Sequence, residues 1–91
     1  MKDKLIQKLS EQYTSILMEF IDHTISDEII ATIEDRFLQS LSPIIGATEL
    51  IAYDGIYKYQ IDNKIIEIFL KDLGDFKDKG VYLAQLANQI I

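Results

Sequence analysis

The side chains that most often carry out chemistry are sparse in this sequence, and their spacing matches no catalytic pattern. His23 is the single histidine, and the 91-residue chain has no cysteine. A catalytic histidine needs a nucleophile and an orienting acid within hydrogen-bond reach. Asp22 points elsewhere on the helix predicted below, and Ser26 equally suits the cap of a helix. Because a protonated histidine is favoured near a helix C-terminus, we expect a structural or neutral role for His23.

Metal and phosphate sites are equally hard to assemble from this sequence. Asp72, Asp75 and Asp78 are spaced by three residues, whereas a calcium loop of the EF-hand type uses alternate positions and ends on a glutamate. With one histidine and no cysteine, a zinc site would need carboxylates. The glycines form neither a GxGxxG nor a GxxxxGK[ST] motif. We therefore expect no metal site, no cofactor and no enzymatic activity.

Neighbouring carboxylates occur where Asp27 precedes Glu28 and where Glu34 precedes Asp35. General acid–base catalysis needs two carboxyl groups in different environments that face each other across a pocket. The helical spacing places all four side chains on a predicted solvent face. We therefore interpret them as a solvated surface.

The acidic residues are unevenly distributed along the chain. The formal net charge is −6, but residues 9–57 contain nine acids against the single base Arg36, which gives −8. Phosphate binding needs the opposite sign, so neither a direct nucleic acid partner nor a base-stacking role for the tyrosines is expected. The excess of acidic residues either favours solubility or forms a surface for a basic partner. The candidate residues for that surface are Glu19, Asp22, Asp27, Glu28, Glu34 and Asp35.

Two amphipathic helices are predicted in the first half of the chain. Apolar residues recur every three or four positions across residues 4–23, and Asp3 can cap this helix. Thr24 or Ser26 can cap a second helix, which we expect Pro43 to end because the residue before a proline avoids helical geometry. The short link between the helices predicts an antiparallel hairpin.

Three short strands are predicted in the stretch LIAYDGIYKYQIDNKIIEIFLK, residues 50–71. Asp54 and Gly55 favour a type I′ turn, which needs positive φ at both central residues, and Asp62 with Asn63 can form a second such turn. Two-residue turns at these places pair Ala52 with Tyr57, Leu50 with Tyr59, Tyr59 with Ile66, and Tyr57 with Ile68. One face of the meander then carries Leu50, Ala52, Tyr57, Tyr59, Ile61, Ile66, Ile68 and Leu70.

The opposite face of the predicted sheet is also partly apolar, although an antiparallel sheet normally shows water a more polar side. A polar loop should follow the sheet, and Asp78 can cap a last helix over residues 81–91. We expect the two long helices to cover the first face, which makes it the core face, and the last helix can cover part of the second one. If the last helix joins the first two instead, the whole second face stays open, and an open apolar face usually marks an interface. The candidate interface residues are Ile51, Tyr53, Ile56, Ile65 and Phe69.

The sequence thus predicts one α+β domain over residues 1–91, in the order α-α-β-β-β-α. No apolar run approaches the length of a membrane span, no secretory signal is visible, and the absence of cysteine favours the cytoplasm. We expect a non-enzymatic module that binds another protein or a second copy of itself. The alternative is an acidic decoy that inhibits a nucleic-acid-binding enzyme, of the anti-restriction or anti-CRISPR type. Seventeen isoleucines against one valine suggest an AT-rich bacterial or phage genome.

Overall fold

The computed structural model describes residues 2–73 and 77–91 and confirms the α+β order. Two long helices precede a three-stranded antiparallel sheet in the order β1-β2-β3, and a further helix follows it. Two short helices flank the sheet. The elements are α1 Lys2–Glu19, α2 Asp27–Gln39, α3 Leu41–Ile45, β1 Thr48–Tyr53, β2 Ile56–Ile61, β3 Lys64–Phe69, α4 Leu70–Leu73 and α5 Lys79–Ile90.

The first helix is shorter at its C-terminus than its apolar pattern predicts. It ends at Glu19, and the backbone N–H groups of Phe20 and His23 then make turn hydrogen bonds of 3.0 Å to the carbonyls of Leu17 and Phe20. His23 therefore lies beyond the helix and not in its last turn. Asp3 lies inside the first helical turn, so its predicted role as the cap is also wrong.

Helix α2 begins where its capping residues predict. Of the two candidates, Ser26 is the cap: its backbone is extended, and its Oγ accepts a hydrogen bond of 3.2 Å from the N–H of Ile29. Asp27 and Glu28 follow in the first turn, where the helix dipole favours negative charge.

The end of α2 is not set by the proline. The helix ends at Gln39, and Pro43 lies inside the short helix α3. A proline is tolerated there because the N–H groups of a first helical turn have no intrahelical partner. Gly46, with φ of 68°, ends α3 in the left-handed conformation.

The sheet register is confirmed except in its first strand. Ala52 pairs with Tyr57, and the predicted pairing of β2 with β3 is correct. The pairing of Leu50 with Tyr59 is wrong, because a register shift between Glu49 and Ile51 places Glu49 opposite Tyr59. A bulge of this kind leaves one residue unpaired.

The two hairpin turns differ in their backbone. Asp54 and Gly55 have φ of 49° and 75°, as a type I′ turn requires. In the second turn Asp62 has φ of 53°, but Asn63 does not have a positive φ, so the predicted equivalence of the two turns is wrong.

The last helix packs on the same side of the sheet as the first two. Its buried residues, among them Tyr82 and Leu86, belong to one cluster with Tyr57 and Tyr59 of the sheet. Asp78 caps this helix, since its carboxylate accepts a hydrogen bond of 3.0 Å from the N–H of Val81. The predicted polar loop is interrupted by α4. The last helix begins at Lys79, two residues before its predicted start at residue 81. Asp75 lies outside the described residues.

On the inner face of the sheet, the helices cover mainly strands β2 and β3. The buried residues of these two strands on this face are Tyr57, Tyr59, Ile66 and Ile68. Ile61 and Leu70 are partly buried and pack against the same core. Strand β1 is exposed along its whole length, so the prediction that Leu50 and Ala52 lie in the core is wrong.

Candidate functional site

The outer face of the sheet is built from three rows of side chains that the register places side by side. Tyr53 pairs with Ile56, and Ile56 with Phe69, so these three form an apolar row near the first hairpin turn. The middle row contains Ile51, Lys58 and Glu67. In the row beyond it, Gln60 pairs with Ile65. The five residues predicted as an interface therefore do lie on one face.

Three of these five side chains are open to solvent. Ile51, Tyr53 and Ile65 are 47%, 55% and 59% exposed, whereas Ile56 and Phe69 are half-buried. In the middle row, the Nζ of Lys58 lies 3.7 Å from the Oε1 of Glu67. We refer to Ile51, Tyr53, Ile56, Ile65 and Phe69 with this ion pair as the outer sheet face.

Strand β1 is also accessible from its other side. Leu50, at 42% exposure, adds an apolar side chain that the helices leave uncovered. The strand forms one edge of the sheet, and a bulge beside Leu50 interrupts its ladder. Bulges are one of the devices that limit edge-to-edge pairing of sheets.

The predicted acidic surface is smaller than its sequence suggests. Glu19 pairs with Arg36 at 2.9 Å, and Asp35 accepts a hydrogen bond of 3.1 Å from the side chain of Gln39. Glu34 is only 3% exposed, so its assignment to a solvent face is wrong. The remaining candidates Asp22, Asp27 and Glu28 are exposed.

The lone histidine lies in an aromatic setting at the protein surface. His23 is exposed, and its ring lies 5.2 Å from that of Phe20. The guanidinium of Arg36 lies 5.8 Å from the centre of the same Phe20 ring. These contacts fix the connection between α1 and α2.

A cleft of about 800 Å³ opens between α1, the start of α2 and the start of α5. Its polar groups include two buried side chains, Glu34 and Tyr82, and the latter is 1% exposed. Within residues 2–73 and 77–91, the Tyr82 hydroxyl has no hydrogen-bond partner and no hydrogen bond or ion pair reaches the Glu34 carboxyl. Leu17, Ile25 and Ile30 contribute apolar walls.

Burial changes the acid–base behaviour of this cleft. Loss of solvation raises the pKa of Glu34 from 4.5 to about 7. Burial first, and the charge of Glu34 second, raise the pKa values of Tyr13 and Tyr82, so both phenols stay protonated. Glu34 thus changes its charge near neutral pH.

Sequence reasoning missed this cleft, although one signal for it was present. Ile30, Glu34 and Phe37 are spaced by four and three residues, which places the glutamate within the apolar stripe of α2. A single charged residue inside such a stripe indicates a buried carboxyl. The cleft itself depends on residues of three separate elements and has no local signature.

Among the described residues, no three acidic or histidine side chains are grouped closely enough to hold a metal ion. No helix within that same part of the chain is long and apolar enough to cross a membrane. Comparison with protein-family models, with curated proteins and with solved structures found no significant match to this chain.

Proposed function

We propose that this chain is a non-enzymatic protein-interaction module that acts through its outer sheet face. The observation that carries the proposal is the exposure of Ile51, Tyr53 and Ile65 on one side of the sheet. Several large apolar side chains exposed on one face are typical of interfaces. All helices with buried stripes share the core on the opposite side and leave this face to a partner. The absence of cysteine favours a cytoplasmic setting.

The first occupant we propose is a second copy of the same chain. The middle row carries one cation and one anion, Lys58 and Glu67, on adjacent strands. A two-fold axis parallel to the strands, between β2 and β3, places Lys58 opposite Glu67 of the second copy. The same axis places Ile56 opposite Phe69 of the second copy. Such a contact is isologous and closes on itself as a dimer.

The alternative proposal, an acidic decoy, has less support from the geometry. Of its six candidate acids, Glu34 is buried, and Glu19 is exposed but forms an ion pair with Arg36. Of the other four candidates, Asp22, Asp27 and Glu28 are exposed and Asp35 is partly buried. A decoy would lose affinity for its target as salt rises, because exposed charges are screened.

The solution mass tests the proposed function directly. We would measure it by size-exclusion chromatography with light scattering at low and high salt, for the wild type and for Ile65→Asp. We expect a dimer that persists at high salt, since its contact is mostly apolar, and a monomer for the variant. Ile21→Asp is the matched control, because Ile21 is 66% exposed and lies outside the sheet.

A monomeric wild type at every concentration would overturn the self-association. The interaction module would then need a foreign partner, which a pull-down with wild type beside Phe69→Asp tests. Equal recovery of every partner by both proteins would argue against the outer sheet face altogether.

A further inference from the structure

The last helix covers only part of the length of the first two. Helix α5 runs antiparallel to α1, because the Nζ of Lys2 donates a hydrogen bond to the Oδ1 of Asn88, and the Nζ of Lys79 donates one of 3.1 Å to the Oγ1 of Thr14. Helix α5 therefore begins beside Thr14, whereas α1 continues to Glu19. The end of α1 and the start of α2 extend beyond it.

Where α5 is present, it fills the seam between α1 and α2. The ring of Tyr82 on α5 has its centre 5.6 Å from that of Tyr13 on α1 and 6.1 Å from that of Phe37 on α2, and all three residues are buried. Beyond the start of α5 the same seam opens into the cleft between the three helices. An α-helix is thus the shape that this seam accepts inside the molecule.

The open part of the seam has apolar walls. Leu17 of α1, Ile25 of the connection, and Ile30 and Ala31 of α2 line it. Ile25 is 62% exposed and Ile30 36%, Ala31 is exposed as well, and Leu17 is half-buried. We refer to these four residues as the helix groove.

We propose that the helix groove docks an amphipathic helix of another protein, in which basic residues flank the apolar stripe. Such a helix would continue the line of α5 and place its apolar residues, spaced by three and four positions, on the groove. The groove is formed by helices and their connection alone, so this docking site is independent of the outer sheet face.

The charge around the groove favours a basic partner. Residues 17–31 contain four acids and no lysine or arginine. Asp22, Asp27 and Glu28 are exposed, and Asp27 also lines the cleft, while Glu19 forms an ion pair. The last turn of α1 contains no basic residue, so the negative end of its dipole adds to this potential. A basic helix complements these charges, and an acidic helix would be repelled.

Two lysines stand at the end of the cleft nearest α5 and limit where the basic residues of the partner can lie. Lys77 and Lys79 both line the cleft, and Lys79 is bonded to Thr14 at the level where α5 begins. We therefore expect the basic residues of the docked helix near the connection between α1 and α2, beside Asp22 and Asp27, and not beside the lysines.

The test uses a leucine–lysine peptide of about 15 residues that is patterned as an amphipathic helix and labelled for fluorescence anisotropy. The full chain is titrated into it, and the same peptide with glutamate in place of lysine is the comparison. We expect saturable binding of the lysine peptide and at least about tenfold weaker binding of the glutamate peptide. Equal binding of the two, or no saturable binding of the lysine peptide up to about 100 μM, would overturn the proposal.

Substitutions at Ile25 locate the docking site. Ile25→Ser should weaken binding of the lysine peptide about fivefold or more, because docking buries this side chain, whereas Ile25→Leu should bind as the wild type does. Ile65→Ser is the matched control, since Ile65 is 59% exposed on the outer sheet face. An equal loss of affinity in Ile25→Ser and Ile65→Ser would show that the peptide does not dock in the groove and would overturn the proposal.

A pair of charge-matched variants tests the electrostatic part. Asp27→Asn should weaken binding of the lysine peptide about twofold or more at low salt, since Asp27 lines the cleft. Asp62→Asn removes the same charge in the second hairpin turn and should change the affinity less. A larger effect of Asp62→Asn would mean that the peptide responds to net charge alone and would contradict the site.

Two further measurements distinguish other occupants of the groove. Loss of self-association in Ile25→Ser but not in Ile65→Ser, measured by light scattering, would assign the groove to a second copy. Co-sedimentation with phosphatidylcholine vesicles that Ile25→Ser abolishes would assign it to a lipid surface. Either result would overturn the proposal, whereas a monomeric wild type that still binds the lysine peptide through Ile25 would support it and contradict only the self-association through the outer sheet face.

Discussion

The hydroxyl of Tyr59 on β2 donates a hydrogen bond to the backbone carbonyl of Leu38 on α2. Tyr59 is fully buried, so this bond joins the sheet to the helical layer inside the core. Its acceptor lies in the last turn of α2 and is also reached by a backbone N–H at the end of that helix. Burial, and next the charge of Glu49 on β1, raise the pKa of Tyr59 and keep the phenol a donor.

We predict that Tyr59→Phe destabilises the protein by about 1–2 kcal/mol, because a buried hydrogen bond between the sheet and α2 is then lost. Urea unfolding followed by circular dichroism measures the change. Tyr53→Phe is the matched control, since Tyr53 is 55% exposed. An equal loss in both variants would show that the bond contributes no more than an exposed hydroxyl does.

The buried carboxyl of Glu34 should make stability depend on pH in an unusual direction. Its pKa is about 7 in the folded state against an ordinary value of 4.5, so the folded state binds more protons between these values. The contribution of Glu34 to stability is therefore fully present below pH 4.5 and is lost as pH rises through about 7.

Substitution of Glu34 by glutamine isolates this effect. We expect wild type and Glu34→Gln to differ in unfolding free energy by an amount that changes by up to about 3 kcal/mol across this pH window, in favour of the variant at high pH. Urea titrations at several pH values measure it. A difference that stays constant with pH would mean that Glu34 is solvated in the folded protein.

Gly55 sits in the first hairpin turn with φ of 75°, a conformation that side chains with a Cβ disfavour. An added Cβ would also lie 3.4 Å from the Cβ of Leu70. We predict that Gly55→Ala costs about 1 kcal/mol and that Gly55→Asn costs less, because asparagine tolerates the left-handed region. Thermal unfolding of both variants checks the order. A larger loss of stability for Gly55→Asn than for Gly55→Ala would show that the contact with Leu70 outweighs the backbone strain.

Charge reversal examines the proposed two-fold contact between copies. Lys58→Glu and Glu67→Lys should each weaken the dimer, because each places like charges opposite one another across the axis. The double variant restores opposite charges and should recover most of the affinity. Sedimentation equilibrium measures all four proteins. Failure of the double variant to recover would place the axis elsewhere.

Features governed by neighbouring residues could be predicted from the sequence. The caps Ser26 and Asp78 each bond an N–H three residues away, and the turn at Asp54 and Gly55 depends on the φ preferences of those two residues. The alternation of apolar residues then fixed the pairing of β2 with β3. Each of these features depends on interactions within a few residues or across one tight turn. The order of helices and strands could therefore be predicted from the sequence.

Features that depend on contacts between distant elements were decided by the tertiary structure. The bulge beside Leu50 and the exposure of β1 occur where the helices no longer cover the sheet. The alternation of apolar and polar residues within that strand does not show where this cover ends. Glu34 is buried because α1 packs against both α2 and α5 and brings Tyr13 and Tyr82 to the same cleft. Hydrophobic burial is non-directional and depends on which surfaces meet, so the sequence supplied apolar stripes, and packing determined which of them were covered.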